Sequence, residues 1–370
     1  MYGSERKRQQ ATLLSHGAGV VLRRAPAAKR QASVLETPSL DQLEANAALL
    51  KRQAEIEQEL QLARDLQQGL LLEAVPYLPG WELSAVSLPA RDLGGDLYDF
   101  LRLEQGQHGI MIGDVSGKGL SAALRMAVAR TVFRHQARRG TSPASTLADV
   151  NEGVLSEIPY GMVTMLYAQL DPSQGVLELA NAGHNYPLLV NGHVQEIEIS
   201  GLPLGVDSDS DYSQLRVVLA PADMLVFYTD GVVEATNAQG EMFGYERLER
   251  LVSEFKQLRP RALVAKLLAQ LRAWIDGTAQ DDDITLVVLR RRLSRLHDEI
   301  WEVAVDVLGP ERAQQLWNDL QIEMELTAEE WTNLLPDAVT RAKQLFGRGQ
   351  ARELQQQFRL VIDEYKEQPT

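Results

Sequence analysis

The sequence predicts an α+β fold in which antiparallel sheets stack on one another and helices flank them. Short apolar runs recur through the central part of the chain, as expected of strands buried between layers. Several neighbouring runs are separated by only a few residues, such as the break at Asp171 to Gly175. Such short breaks favour hairpins over βαβ crossovers. Helical stretches interleave irregularly with these strands, which places helices around the sheets.

Length and composition limit the classes of protein to consider. The chain has 370 residues, of which 45% are hydrophobic and 24% charged, as is typical of one large domain with extensions. A net charge of −14 disfavours nucleic-acid binding, which needs clustered Lys and Arg. The absence of cysteine excludes disulfides and thiolate zinc sites. No apolar run approaches the roughly 20 residues of a membrane-spanning helix. We therefore expect a cytoplasmic protein without a transmembrane segment.

Two segments precede the central domain. Residues 1–39 are basic, acid-poor and without an apolar period, which predicts a disordered arm, although an organelle transit peptide has a similar composition. Residues 40–75 have a helical pattern with an apolar residue every seventh position, interrupted at Gln53 and Gln67. This pattern predicts a parallel homodimeric coiled coil through residues 40–72, with packing on its own domain as the alternative. The repeating positions are Leu49, Ile56, Ala63 and Leu70.

The central domain is predicted to span residues 76–292. Its first strand begins at Trp81, after the helix-ending Pro76, Pro79 and Gly80. Further strands are expected near 97–103, 109–114, 162–170, 175–182, 186–190, 193–199, 213–219, 223–229 and 284–290. Helices are expected at 119–138, 143–157, 244–257 and 260–275.

Residues 293–370 form a predicted helical extension. Apolar residues recur there at helical spacing, and Thr327 with Glu330 makes a capping box. No set of residues in this extension indicates chemistry, so the default interpretation is a packing or partner-docking module.

Four aspartates lie where apolar strands begin or end. Carboxylates gathered at one rim repel each other and keep their charges only with cations between them, which predicts hard, oxygen-ligated metal ions. A water between two such ions becomes a nucleophile suited to attack on a phosphate ester. Gly231 is expected to leave room for waters at this rim. Because Asp before Gly is also a common turn dipeptide, only the set carries weight: Asp96, Asp114, Asp230 and Asp282.

The chain resembles a known family at this point. GGDLYD, GDVSGKG, ANAGHNYPLLV, GLPLGV, FYTDGVVEATN followed by FGYERL, and DDDITLVVLR are similar, in order, to the motifs of the metal-dependent PPM phosphatases, in the branch of stage II sporulation protein E and RsbU. The resemblance covers about residues 58–291. It implies an αββα sandwich that binds two Mn²⁺ or Mg²⁺ ions and removes phosphate from Ser or Thr. In this branch the usual substrate is a phosphorylated STAS-domain anti-sigma-factor antagonist.

The resemblance also implies roles for individual residues. Asp96 corresponds to the first metal aspartate and Asp114 to the bridging, water-activating one. Val115 corresponds to a ligand through its backbone carbonyl, Asp230 to the DG ligand and Asp282 to the first Asp of the terminal pair. Eukaryotic relatives have a His after the bridging Asp-Gly and an Arg near the phosphate, and this chain shows no equivalent of either, so the general acid is open.

Other residues have both functional and structural interpretations. Lys118 and Arg91 are candidates for neutralising phosphate, or are simply solvated. His184 is a further phosphate candidate, but a structural hydrogen bond with Asn181 is the favoured interpretation. The candidates for supporting the metal ligands are Asp99 and Asp283.

Two alternatives and one regulatory hypothesis concern the whole chain. A P-loop is excluded because three residues rather than four separate Gly113 from Gly117, and because Gly119 stands where Ser or Thr would bind Mg²⁺. A catalytically weak phosphatase-like scaffold, acting through its coiled coil and helical extension, is the alternative function. A regulator that binds the N-terminal or C-terminal helices would control activity by shifting the loop that carries Asp96.

Overall fold

The computed structural model describes residues 40–70, 75–322 and 324–367. The predicted basic arm lies outside these residues, as do positions 71–74 of the predicted coiled coil. By its internal contacts the chain divides into a unit that ends at Ala54 and a unit that begins at Glu55. Within the described residues, no helix has the length and apolar character needed to cross a membrane.

The described elements alternate between strands and helices. The strands are β1 (Trp81–Leu88), β2 (Leu97–Arg102), β3 (His108–Val115), β4 (Val163–Asp171), β5 (Val176–Ala182), β6 (Leu188–Val190), β7 (Val194–Glu196), β8 (Gln214–Val218), β9 (Met224–Tyr228) and β10 (Ile284–Arg291). The helices are α1 (Leu40–Leu70), α2 (Leu120–Ala137), α3 (Pro143–Glu157), α4 (Asp230–Val233), α5 (Tyr245–Glu254), α6 (Pro260–Ile275), α7 (Leu296–Leu308), α8 (Pro310–Asp319), α9 (Ala328–Phe346) and α10 (Arg348–Glu367).

These strands form two antiparallel sheets, which confirms the predicted α+β fold with an αββα sandwich. One sheet has the order β1-β10-β9-β6-β7 and the other β2-β3-β4-β5-β8. Their facing surfaces enclose a core that includes Phe100, Phe227 and Val287. Helices α2 and α3 pack on the outer face of the second sheet through residues such as Phe133. Helices α5 and α6 cover the first sheet through residues such as Leu267.

Helix α1 presents three of its four repeating apolar positions to solvent. The exposed fraction is 60% for Leu49, 43% for Ile56 and 39% for Leu70. Farther along α1, Gln67 forms two hydrogen bonds with the backbone of Gly94, one to the carbonyl (2.7 Å) and one from the N–H (3.2 Å). Gln67 therefore interrupts the apolar repeat because it contacts the loop before β2.

Helices α7 to α10 form a bundle with its own core, which includes Trp317, Trp331 and Phe358. The predicted capping box at Thr327 and Glu330 is present at the start of α9. Between the bundle and the sheets lie buried ion pairs. They centre on the fully buried Glu299 of α7, which pairs with Arg259 before α6 (3.1 Å) and Arg292 after β10 (3.3 Å). Because a buried charge is costly without its partner, these pairs hold the bundle in place.

Candidate active site

The four predicted acids lie at one end of the sandwich. In the second sheet Leu97 pairs with Gly113, so β2 begins where β3 ends. In the first sheet β9 and β10 are antiparallel neighbours, with Tyr228 paired to Leu286, so β10 begins where β9 ends. The chain therefore brings an acid from each of these four strand ends to the same rim: Asp96, Asp114, Asp230 and Asp282.

Asp114 is an acid whose pKa depends on the charges of its neighbours. Burial and, after it, the negative charges of Asp230, Asp282 and Asp283 together raise the pKa of its carboxyl to about 7. These three acids follow β9 or precede β10, which are strands of the other sheet, so their charges act on Asp114 from the first sheet's side of the rim. The rim thus concentrates negative charge around Asp114.

Asp96 is buried and held by two threonines. Thr229 Oγ1 donates to its Oδ2 at 2.8 Å, and Thr285 Oγ1 donates to the same atom at 2.6 Å. Burial, followed by the charge of Asp114, raises the pKa of Asp96 well above its usual range, and the two hydroxyls lower it. The sequence reasoning missed both threonines. The available signal was their position, since Thr229 precedes Asp230 and Thr285 follows the terminal Asp run.

Asp283 fastens the loop that carries Asp96. Its Oδ1 accepts from the N–H of Ala90 (2.7 Å), and its Oδ2 accepts from the N–H of Gly95 (2.6 Å). The glycines of this loop allow the close approach. A Cβ on Gly94 would lie 2.4 Å from Asp283 Oδ2, and one on Gly95 would lie 2.7 Å from the Val115 carbonyl oxygen. The Val115 carbonyl therefore faces the backbone just before Asp96.

Asp230 is the first residue of the four-residue helix α4. Burial raises its pKa, as do the charges of Glu234 and Asp282, while the N–H of Gly231 lowers it. The expected room for waters at Gly231 is absent. A Cβ there would lie 1.9 Å from the carbonyl oxygen of Asp283, so the glycine accommodates backbone rather than solvent.

The cationic candidates differ in their contacts. Lys118 Nζ lies 3.0 Å from Asp282 Oδ2 and also donates to the carbonyl of Asp281. Arg91 is exposed on the loop before β2. Lys118 therefore already forms an ion pair with Asp282 at the rim.

Arg125 was not found by sequence reasoning. In α2, its Nη1 lies 3.5 Å from Ser116 Oγ and 3.4 Å from the Tyr160 carbonyl. A Cβ on Gly161 would approach that nitrogen to 2.0 Å, so this glycine leaves space for the guanidinium. Ser116 Oγ also accepts from the N–H of Met162 at 3.0 Å. Arg125 thereby joins the turn that follows Asp114 to the segment before β4.

Two other candidates are buried side chains. His184 is buried, with Nδ1 2.9 Å from Thr164 Oγ1, and burial lowers its pKa to about 4. Its backbone N–H donates to Asn181 Oδ1 at 2.8 Å, which is the structural bond favoured from the sequence. Asp99 does not support the metal ligands, because it is fully buried against α2 and paired with Arg134 at 2.8 Å.

The rim has the donor chemistry of a hard-cation site. Across residues 40–70, 75–322 and 324–367, no group of three or more His, Asp or Glu side chains is already arranged as a complete set of metal ligands. Besides burial, the charges of neighbouring carboxylates raise the pKa of Asp114 and of Asp230, so a cation among these acids would relieve their repulsion. Carboxylate and carbonyl oxygens suit Mg²⁺ and Mn²⁺. The residues therefore fit divalent ions.

Comparison with known families decides the assignment. Residues 104–292, about half of the chain, match the model of the family described as stage II sporulation protein E (SpoIIE). The chain belongs to the SpoIIE family. Its sandwich is thus a SpoIIE-type PPM phosphatase domain, as the motifs predicted, and the chain is a phosphoprotein phosphatase.

Individual relatives agree with the SpoIIE assignment. Phosphoserine phosphatase RsbU of Bacillus subtilis is 32% identical over 65% of this chain and 72% of that protein. Protein IcfG of Synechocystis is 30% identical over 63% of this chain and 41% of that protein. Phosphoserine phosphatase RsbP of B. subtilis is 26% identical over 48% of this chain and 46% of that protein. The chain therefore spans less than half the length of IcfG and RsbP.

Solved structures share the fold of this SpoIIE-type domain. The SiaA-PP2C domain of Pseudomonas aeruginosa has a TM-score of 0.59 at 22% identity, over 65% of this chain and 98% of that one. The RsbU and RsbW domains of Rv1364c from Mycobacterium tuberculosis have a TM-score of 0.53 at 23% identity, over 69% of this chain and 80% of that one. At this identity the likeness concerns the fold.

Proposed function

We propose that the chain is a metal-dependent phosphatase that removes phosphate from phosphoserine or phosphothreonine in a protein, with water as the phosphate acceptor. The observation that carries this proposal is the convergence of four acids from four strand ends on one rim, where burial and the charges of Asp230 and Asp282 raise the pKa of Asp114 to about 7. A buried rim of this kind is suited to cations rather than to an uncharged ligand. The relative RsbU is named a phosphoserine phosphatase, which supports serine as the phosphorylated residue.

We assign two Mn²⁺ or Mg²⁺ ions to the rim. Asp114 would bind both, with Asp96 and the Val115 carbonyl on one side and Asp230 and Asp282 on the other. Bound divalent ions lower the pKa of coordinated water and withdraw negative charge from phosphate oxygens. The protein supplies the placement of these oxygen donors.

Several residues keep the rim in this arrangement. Thr285 orients the buried carboxylate of Asp96 through its hydroxyl, and Asp283 fixes the preceding loop through backbone N–H groups. Lys118 beside Asp282 adds positive charge at the edge where a phosphate dianion would approach. His184 does not serve as the general acid, since it is buried and holds Thr164.

The catalytic proposal is tested with the full chain and Mn²⁺. It should hydrolyse p-nitrophenyl phosphate and a serine-phosphorylated protein, and it should lose activity when a chelator is added. Asp114→Asn should reduce turnover by at least about a hundredfold, because the shared donor loses its charge. Asp281→Asn is the matched control, since this neighbouring acid is exposed and bonds Thr236 instead. An inactive wild type, or an Asp114→Asn variant with wild-type turnover, would contradict the proposal.

We further propose that the substrate is a phosphorylated STAS-domain anti-sigma-factor antagonist, acting in a partner-switching pathway. Its support is the resemblance to the RsbU branch and the 32% identity to RsbU. A phosphorylated STAS protein should be turned over with a much higher kcat/KM than a short phosphoserine peptide of the same local sequence, because docking outside the rim adds transition-state binding. Equal kcat/KM values would refute this substrate class.

Regulation through α1 is a separate proposal. Residues 40–72 would form a parallel dimer through the exposed positions Leu49 and Ile56. The end of the same helix contacts the loop before Asp96, through Gln67 and through an ion pair between Arg64 and Asp92. A partner that binds the N-terminal or C-terminal helices would shift this loop.

The regulatory proposal is tested by truncation. A chain without residues 1–72, a chain that ends at 293 and a chain with both deletions are compared with the full chain by sedimentation and by Mn²⁺-dependent turnover. Loss of residues 1–72 should abolish dimerisation and change the metal concentration needed for half-maximal turnover. Unchanged dimerisation and turnover in all three truncated chains would show the proposal to be wrong.

A further inference from the structure

A second groove lies at the end of the sandwich opposite the aspartate rim. The rim is built at the start of β2 and the end of β3, whereas this groove involves the end of β2 at Arg102 and the start of β3 at His108. The first sheet contributes Arg291 at the end of β10. The groove therefore runs across the junction of the two sheets, and its volume is about 800 Å³.

The groove is basic in a strongly acidic chain. Four cationic or ionisable basic side chains line it, and none of its described lining residues is Asp or Glu, although the net charge of the chain is −14. Carboxylates beside the groove already have partners. Glu364 accepts from the Tyr77 hydroxyl at 2.9 Å and pairs with Arg292 at 3.5 Å. Asp223 accepts from the N–H of Ala220, and its charge interacts with that of Arg291. The basic residues are Arg102, His108, Arg291 and Arg292.

Arg291 is held in position by its surroundings. Its Nη1 donates to the Leu219 carbonyl at 2.7 Å, and its guanidinium carbon lies 5.9 Å from the centre of the Trp81 ring. Gly175 leaves the space for it, since a Cβ there would lie 2.1 Å from Nη1. A guanidinium fixed in this way loses little freedom when it binds an anion.

Arg102 and His108 are direct cross-strand neighbours. They are paired in the register of β2 and β3, so their side chains leave the same face of the sheet. Arg102 is exposed and forms no ion pair with any described residue. Burial and the charge of Arg102 lower the pKa of His108, so an anion bound between the two side chains would favour the protonated imidazole. Arg292 is different, because it already forms ion pairs with Glu299 and Glu364.

We propose that this groove, hereafter the basic groove, binds a small organic phosphate of nucleotide size, with Arg102, His108 and Arg291 around the phosphate group. Arginine pairs offer the planar donors that match phosphate oxygens. The volume exceeds the need of inorganic phosphate and suits a ligand of nucleotide size. Tyr77 and Pro172 add apolar surface for a ring. Nothing in this site depends on the proposed phosphatase activity.

The location of the basic groove suggests what a bound ligand would stabilise. Its walls include Gly80, in the segment between α1 and β1, and Leu293 and Ser294, in the segment between β10 and α7. An organic phosphate would contact both extensions at the points where they join the sandwich. Its binding should therefore raise the melting temperature of the full chain.

The test uses adenosine monophosphate as the probe, with the full chain in chelator and without divalent metal. The uncompensated carboxylates of the rim then repel the probe and cannot turn it over. We expect saturable binding by calorimetry, a rise in Tm, and a shift of the His108 ring signals by NMR, assigned with His108→Gln. Arg102→Gln should weaken binding by about tenfold or more, because a charge-assisted hydrogen bond is lost. Arg138→Gln, an exposed arginine at the end of α2, is the matched control and should bind like the wild type.

Adenosine and inorganic phosphate complete the experiment. Adenosine should not bind measurably, and inorganic phosphate should bind more weakly than the nucleotide. The absence of saturable nucleotide binding at millimolar concentration would overturn the proposal. So would equal affinity in Arg102→Gln and wild type, equal binding of adenosine, or inorganic phosphate binding as tightly as the nucleotide. Urea unfolding of Arg102→Gln verifies that the variant is folded.

Discussion

Replacing His184 with glutamine should make the protein's stability less sensitive to acid. The imidazole is buried beside Thr164, and burial lowers its pKa to about 4. An unfolded chain binds a proton at the same side chain near pH 6.5. Between these two values the unfolded state holds more protons than the folded state, so acidification favours unfolding.

The size of the effect follows from the separation of the two pKa values. Each pH unit between them changes the free energy of unfolding by about 1.4 kcal/mol. With a folded pKa of about 4, the wild type should lose about 3 kcal/mol through His184 as the pH falls from 6.5 to 4. Glutamine does not titrate, so this part of the pH dependence should disappear in the variant.

The assay must separate His184 from the aspartate rim. Asp114 has a pKa raised to about 7, so the stability that it contributes is present at low pH and is lost as the pH rises through 7. This effect opposes that of His184. Urea unfolding of metal-free wild type and His184→Gln should therefore be compared at each pH from 7 to 4, and the difference between the two chains is the measured quantity.

Exposed His193 supplies the control, and His193→Gln should follow the wild type. The expected result is a difference that shrinks or reverses by about 3 kcal/mol toward pH 4, whatever the variant's stability at pH 7. If wild type and His184→Gln show parallel curves over this range, the burial argument for His184 is refuted.

Three further substitutions test the support of the rim. Gln67→Leu should raise the Mn²⁺ concentration for half-maximal turnover, because two hydrogen bonds to the loop before Asp96 are lost. Gly231→Ala should lower the free energy of unfolding by about 3 kcal/mol and abolish turnover, since its Cβ would lie 1.9 Å from the Asp283 carbonyl oxygen. Thr285→Val should weaken Mn²⁺ binding at neutral pH by about tenfold, because the Asp96 carboxylate loses a 2.6 Å hydrogen bond and ionises less readily.

Each substitution has a control or a contradicting result. Gln53→Leu alters the other glutamine of the apolar repeat, which is exposed, and should leave Mn²⁺ activation unchanged. Gly69→Ala, with open space around its Cβ, should not destabilise the chain. An unchanged Mn²⁺ titration in Thr285→Val would show that the hydroxyl does not help Asp96 to ionise.

Most of the fold could be predicted from the period of apolar residues. β3, for example, alternates between the two cores, and its apolar run identifies it without knowledge of its partners. Helix α4 was missed because four residues are too few to show a helical period. The predicted C-terminal ends of β7 and α5 lie a few residues beyond the observed ends. A strand of three residues and a helix that ends in a turn give the sequence little to mark their ends.

The sequence by itself determined the acids of the rim, because each stands at the end of an apolar run and within a family motif. Only the tertiary structure decided which other residues hold these acids and their loops in position. Thr285 holds Asp96 from 189 positions away, and Arg125 reaches Ser116 from another element. The tertiary structure also gave Asp99 and Asp283 different roles. Asp99 pairs with Arg134 of α2, whereas Asp283 holds the loop before Asp96. Such contacts depend on how two sheets and their helices pack, and no local spacing along the chain encodes that packing.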